Sequence, residues 1–377
     1  MLRRVLVAIA VAPLCTLACA QLLSYDDYAA REPSPLDTGS EVSEASIDAA
    51  DAPDPPARLP DRPAGDAAAS GGANLWLAVK HMYLGTQNAL GVDVPEAWRG
   101  WGFDLDRVCT SSEDSVKNVG TCLRTKTAGQ EFLTDGERCR DNNFGQHVVP
   151  LIKLARVGFE KELNTSLLQG MSTWLLVIED LGTGADDAYA PGKLYFAAPT
   201  LTRPNWDGTD TRAVRADSVE GGDLGKPKIA FDKGFVKNHV WVSGSAAITL
   251  PTPLTPQATA WLRLEGAVIT LELSPDHKSA AHGLLGGAIP LASVDDLLVP
   301  VASSGGFCPG SSLYQSAYDS VQRFPDLVTG APNLQDTTQT CNAISIGIGF
   351  DVANVKPSMG IADPPAPSPN PCDAGPG

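Results

Sequence analysis

Positive charge is what this 377-residue chain has least of: 28 Lys and Arg stand against 44 Asp and Glu, for a formal net charge of -16 and a pI near 4.7. A surface of that sign repels phosphate backbones and anionic headgroups, which argues against nucleic acid as a partner and against a bare lipid surface as a docking site. An apolar stretch long enough to span a bilayer is also missing. The run from Val5 to Ala18 falls short of the roughly 20 residues that a membrane helix needs. No C-x-x-C pair occurs, so a zinc ribbon or a thioredoxin-like site has no support. G-x-S-x-G, S-x-x-K, H-E-x-x-H and Cys-His signatures are absent as well, and with them the common nucleophile and metalloprotease patterns. No self-similarity of solenoid or propeller period is present.

What the chain does have begins at its N-terminus. Arg3 and Arg4 precede the apolar run, and the expectation is an export signal over residues 1–20. Two exits compete. Ala18-Cys19-Ala20 fits a small-residue cleavage site with Gln21 as the mature start, while Leu17-Ala18-Cys19 fits a lipobox that would lipidate Cys19, with Thr16 standing where leucine is usual. The stretch from Cys19 through Gln21-Leu22-Leu23-Ser24-Tyr25-Asp26-Asp27 to Tyr28 resembles the start of exported surface lipoproteins of myxobacterial type. That resemblance implies a lipid anchor followed by an acidic linker. Residues 21–73 carry eleven Asp or Glu against three Arg, a net of -8 and half the total charge, in a segment rich in Pro, Ala and Ser. Such a composition buries too little to offset its ordering entropy and reads as a tether.

Beyond the signal lie six cysteines, and an even count in an exported chain points to disulfides. The expectation pairs Cys308 with Cys341, a loop that chain entropy values at roughly 3 to 4 kcal/mol. It adds one bridge among Cys109, Cys122 and Cys139, and leaves Cys372 unpaired in a Pro-rich tail over 357–377.

Between tether and tail a single α+β domain is expected over about 74–356, predominantly antiparallel β as a sandwich-like or meander sheet with a few packed amphipathic helices. The run Leu75–Leu84 reads as its first strand. One helix is expected where Val148, Leu151, Ile152, Ala155, Phe159 and Leu163 share a stripe and Pro150 suits the first turn. From Thr173 the pattern turns to short strands punctuated by Gly, Pro, Asn and Asp, at 174–178, 193–198, 228–232, 239–245, 247–250, 260–264 and 267–273. A short helix is expected from Ser293. Another runs from Ser312 on the stripe Leu313, Ala317, Val321 and Phe324, and a last strand spans Asn342–Val352.

The densest collection of carboxylates and amides lies between Trp101 and Pro150. Asp104, Asp106, Asp135, Glu137, Asp141, Asn142 and Asn143 sit beside glycines in short loops, with three cysteines among them. A hard cation such as calcium takes six to eight oxygens, which such loops supply without an EF-hand. The competing reading makes the same residues helix caps and Asx turns. The arrangement over Gly102–Gly145 also resembles one found in uncharacterised secreted bacterial proteins, and departs from it at Arg107 and Arg140, where glycine would be expected. That family brings no activity with it.

A second candidate is the long segment Pro199–Pro227, where Trp206 beside Asp207 and Asp210 has the chemistry to stack on a sugar ring and bond its hydroxyls; the alternative is a solvated insertion with Trp206 packed down. His277 and His282 stand five apart in an expected turn, not the four of a helical metal pair, and His81, His147 and His239 stand alone; each reads as a surface or half-buried residue. No catalytic residue is assigned. The leading expectation is an exported, lipid-anchored surface protein with a non-catalytic binding or structural domain, stabilised by calcium, facing an extracellular protein or glycan. A secreted hydrolase using carboxylates near Asp104 and Asp141 is the first alternative, and a deep pocket lined by two carboxylates would favour it. An apolar-ligand or lipid carrier is the second, and an apolar cavity between sheet and helix would favour that.

Overall fold

The computed structural model describes residues 57–65, 71–117, 120–124, 133–171, 173–253, 259–357, 360–366 and 372. The expected export signal, Cys19 and most of the tether and tail lie outside these residues. With 22% helix and 37% strand, the architecture is α+β and mostly antiparallel. The principal strands are β1 (Ala73–Tyr83), β2 (Thr173–Leu181), β3 (Gly192–Ala197), β4 (Phe235–Lys237), β5 (Val240–Val242), β6 (Ala246–Pro253), β7 (Thr259–Leu273), β8 (Ala280–Pro290) and β9 (Ala343–Asn354). Their order across the main sheet is β3-β2-β1-β9-β8-β7-β5-β4, with β6 paired to the first half of β7. Ile229–Phe231 pairs with β3, and Asp187, just before β3, exchanges backbone hydrogen bonds with Val236 of β4. The two ends of the sheet are thereby tied together, and edges that would otherwise expose unpaired amides are satisfied.

Period-2 alternation decides which face each residue takes. In β9, Ile344, Ile346, Ile348, Phe350 and Val352 point into the main core beside Leu75, Leu77 and Val79 of β1 and Ile269, Leu271 and Leu273 of β7. The opposite face of β9 carries Ser345, Gly347 and Gly349, and Gly347 lies directly across from Gly286 of β8. A Cβ on Gly286 would sit 2.5 Å from the Phe103 ring, and one on Gly347 would sit 2.5 Å from the Trp101 carbonyl. This trough of missing side chains is where the loop Trp101–Phe103 lies down on the sheet. It fixes the carboxylates that follow.

Among the described residues five α-helices complete the fold: α1 (Ser112–Lys117), α2 (Val149–Ala155), α3 (Phe159–Leu168), α4 (Val294–Ser304) and α5 (Ser312–Val321). Helix α3 packs Phe159, Leu163 and Leu167 against β1, and α4 packs Val294, Leu297, Leu298 and Val301 against β7. Within the stretch read as tether, residues 57–65 lie against the sheet. Residues 361–362, within the stretch read as tail, pair in parallel with Val214–Arg215.

Several expectations need correction. The single helix over 148–163 is two, because Arg156 is extended and Gly158 takes φ +82°, a left-handed conformation that ends one helix and starts the next at a new angle. Helix α5 buries Tyr314 and Val321 and leaves Leu313 exposed. The Tyr314 hydroxyl donates to Asp295 of α4 at 2.5 Å, which rotates the helix away from the expected stripe. The strands expected at 260–264 and 267–273 are one, carried through by a bulge at Gly266 (φ +60°). The Cys308–Cys341 pair does not form. Cys109 joins Cys139, Cys122 joins Cys341 and Cys308 joins Cys372, so Cys372 is paired. The reason is local: the short strand Asp336–Thr340 runs parallel to Cys122–Leu123 and delivers Cys341 with its Cα 5.3 Å from that of Cys122.

Candidate metal centre

The loop that enters the glycine trough is held by its own backbone. Phe103 and Asp141 form an isolated antiparallel bridge, the Asp141 amide donating to the Phe103 carbonyl at 2.9 Å. The Asp141 carboxylate then reaches back, its Oδ2 accepting the Leu105 amide at 2.6 Å and the Asp106 amide at 3.3 Å. Asp106 Oδ1 accepts the Val108 amide at 2.7 Å in an Asx turn, and its Oδ2 accepts the Thr121 hydroxyl. These bonds converge three carboxylates. One oxygen each from Asp104, Asp106 and Asp141 lies within 4.8 Å of the others. All three residues are buried, with 8%, 2% and 2% of their surface exposed.

Two further carboxylates border the group. Asp135 accepts the Thr110 amide at 2.6 Å. Asp326, from the turn after α5, accepts the Ser345 amide at 2.8 Å and its hydroxyl at 2.6 Å. Asp106, Asp135, Asp141, Asp326, Asn143 and Thr121 line a cavity of about 30 Å³, with Arg124 and the Cys122–Cys341 bridge in its wall. That is room for about two water-sized occupants.

The electrostatics follow from crowding like charges out of water. Burial pushes the Asp106 carboxyl up to about 8 against the pull of the Val108 amide, and the charges of Asp135, Asp326 and Asp104 add to the rise. Burial likewise lifts Asp135 to about 7, opposed by the Thr110 amide. Asp141 is raised well above the usual carboxylate range by burial and then by Asp106, Asp135 and Asp326. Burial brings Asp326 to about 7 despite its bonds from Ser345. Such a cluster is stable when protons or a cation neutralise it. One observation bears directly on which: Arg58 Nε donates to Asp104 Oδ2 at 2.7 Å, while the buried Asp104 Oδ1 has no partner among the described residues. A buried carboxylate oxygen with nothing to accept is a costly feature, and a cation beside Asp106 and Asp141 removes it. The donor set is all oxygen, and the neighbouring cysteines are held in disulfides, so the chemistry suits a hard ion.

Of the residues singled out in the sequence, then, Asp104, Asp106 and Asp141 come together, and Asp135 and Asn143 border the same cavity. Glu137 is exposed on a 3-10 turn outside it. Asn142 is spent on structure: its Oδ1 accepts the Gly145 and Gly347 amides and its Nδ2 donates to the Trp98 carbonyl. Asp326 and Arg58 carried no signal in the sequence, one following a proline that only marks a helix end, the other lying in the stretch read as tether. The second candidate segment is organised by its own side chains. Asp210 accepts the Asn205 and Trp206 amides, Asp207 accepts from Thr209, and the Trp206 indole donates to the Leu168 carbonyl at 3.2 Å. The histidines are less isolated than expected: His239 Nδ1 lies 2.9 Å from His277 Nε2, and His282 Nδ1 lies 2.9 Å from Asp351.

Among the described residues no helix is long and apolar enough to cross a membrane, and three disulfides are compatible with an exported protein. No protein-family model, curated protein or solved structure matches the chain.

Proposed function

We propose that this chain is an exported surface protein whose β-rich domain is a non-catalytic binding or structural module built around a calcium ion. The observation that carries the reading is the buried trio Asp104, Asp106 and Asp141, with one oxygen of Asp104 left without a partner. Calcium tolerates irregular shells of carboxylates, amides and water, and the adjoining cavity leaves space for the waters of such a shell. In this reading Cys19 carries a lipid, a tether of about forty residues holds the domain off the membrane, and the partner is an extracellular protein or glycan. The size of the acidic cavity supports a cation over a hydrolase substrate, because about 30 Å³ is far below the several hundred that organic ligands occupy. The main core is filled by large buried side chains that include Trp174, Trp241 and Phe231, which weighs against a lipid carrier.

The test uses the oxidised chain from Gln21 onward, stripped with EGTA. Calcium at 100 times its dissociation constant adds about 2.7 kcal/mol, which for a domain of this size is a rise of roughly 4 to 5 °C in melting temperature. Asp104→Asn keeps the shape of a side chain whose Oδ1 serves nothing else, and it should abolish most of that rise. An unchanged melting temperature in the wild type would overturn the reading.

A further inference from the structure

We infer that residues 57–65 form a strap whose docking is coupled to the cation centre through Asp104, so that cation occupancy sets the length of free tether in front of the domain. The inference rests on the cation reading above and adds regulation to it. The strap makes two sets of contacts. At one end the Ala57 carbonyl accepts the Asp104 amide at 2.8 Å, Ala57 is buried, and Arg58 Nε donates to Asp104 Oδ2 at 2.7 Å. At the other, Arg62 Nη1 donates to the Ala188 carbonyl at 2.7 Å, Nη2 donates to the Lys233 carbonyl, and the guanidinium lies 5.0 Å from the centre of the Phe235 ring. Between them Leu59 packs beside Trp101, Phe103 and Phe235.

Asp104 is thus shared. Its amide and one carboxylate oxygen hold the strap, and one of its carboxylate oxygens lies within 4.8 Å of oxygens of the two remaining carboxylates of the centre. Asp141 and Asp106 are held in place by backbone amides, whereas the Asp104 carboxylate accepts none among the described residues, so a cation shared by the three is what fixes Asp104, and without one Asp104 can shift. That movement breaks the bond to the Ala57 carbonyl. With a cation the loop is pinned and the bond is kept. Arg58 opposes this through its like charge, but its side chain is 73% exposed and water screens the repulsion. The backbone bond therefore sets the sign, and cation binding and strap docking favour each other. Release of the nine residues would lengthen the tether by about 30 Å when extended.

Trypsin cleavage after Arg58 reads the strap directly, and cleavage after Arg31 serves as an internal control. In the full chain from Gln21, millimolar calcium should slow cleavage after Arg58 at least fivefold relative to EGTA and leave cleavage after Arg31 unchanged. Coupling is reciprocal. Loosening the strap at its far end, with Arg62→Ala, should weaken calcium affinity by a similar factor although Arg62 bonds Ala188 and Lys233 and none of the centre's carboxylates. A calcium-induced rise in melting temperature with equal cleavage after Arg58 in calcium and EGTA would overturn the strap inference and leave the cation reading standing. Failure of calcium to bind the wild type at all would overturn both.

Discussion

Replacing Cys122 and Cys341 by serine removes the crosslink that closes the longest loop in the molecule. The two cysteines are 219 residues apart, and chain entropy values a loop of that length at about 5 kcal/mol. The other bridges shorten this loop very little. Cys109–Cys139 spans 30 residues and encloses Cys122, and Cys308–Cys372 spans 64 and encloses Cys341, so neither gives a shortcut between the two ends. Nearly the whole entropic value should therefore be lost, against a total stability of about 5 to 15 kcal/mol for typical domains. The assay is equilibrium urea unfolding of wild type and double variant without reductant, followed by tryptophan fluorescence and far-ultraviolet circular dichroism. The expected outcome is a fall of roughly 3 to 5 kcal/mol, with a midpoint shift large enough that the variant starts to unfold in dilute urea. Because the same bridge walls the acidic cavity, the calcium-induced rise in melting temperature should also shrink. A loss below about 1 kcal/mol would refute the reasoning, since it would mean that the unfolded chain already keeps these ends together.

Further tests probe the supports of the same architecture. Glu160 of α3 is buried and accepts the Leu84 amide at 2.9 Å, the Thr86 amide at 3.1 Å and the Thr86 hydroxyl, so Glu160→Ala strands three donors and should cost about 2 to 4 kcal/mol in urea unfolding. Gly349→Ala places a Cβ 2.3 Å from the Trp101 ring and should destabilise by about 1 to 3 kcal/mol while displacing the loop that carries Asp104 and Asp106, seen as a weaker calcium response. The hydrogen bond to Asp351 raises His282 above the usual 6.5, although partial burial pulls it down; burial pushes Asp351 up, but bonds from His282 and Tyr83 hold it below the usual 3.8. The histidine's contribution is full below pH 6.5 and is lost as pH climbs through the raised value, and that of the aspartate is full above pH 3.8 and is lost as pH falls through the lowered one. The His282→Asn variant should therefore lose more stability at pH 5.5 than at pH 8.5, by only a few tenths of a kcal/mol because the pair is half exposed, and equal losses at both would contradict the pairing.

Much of the candidate centre was legible because its parts are local. Asp106 anchors a turn only a few residues wide, and the concentration of Asp, Asn and Gly between Trp101 and Gly145 marks such turns in any reading of the chain, whereas Asp141 accepts amides from 35 to 36 residues away. The same composition serves caps and Asx turns equally well, so the sequence could not separate Asp104, one of whose oxygens lies within 4.8 Å of oxygens of Asp106 and Asp141, from Asn142, whose amide is consumed by Gly145, Gly347 and Trp98. Strand positions were recovered for a similar reason. Alternation such as Ile344, Ile346 and Ile348 against Ser345 and Gly347 is a property of the segment itself, whereas the break at Gly158 depends on a backbone angle that glycine permits without requiring.

The sequence by itself determined the class of the fold, its first and last strands, the acidic loops, and the cysteine count that points to an exported chain, whereas the strand Ala280–Pro290 between β7 and β9 was not legible. Tertiary structure alone decided which distant pieces meet. Asp326 joins the cavity because β9 and the turn before it lie beside the bridge between Phe103 and Asp141, and Cys341 finds Cys122 through a parallel pairing that closes over 219 residues. Local pattern specifies period and turn chemistry at little entropic cost, but register and close approach depend on whole faces fitting at once. Here those faces fit where Gly286 and Gly347 open the trough that receives Trp101 and Phe103.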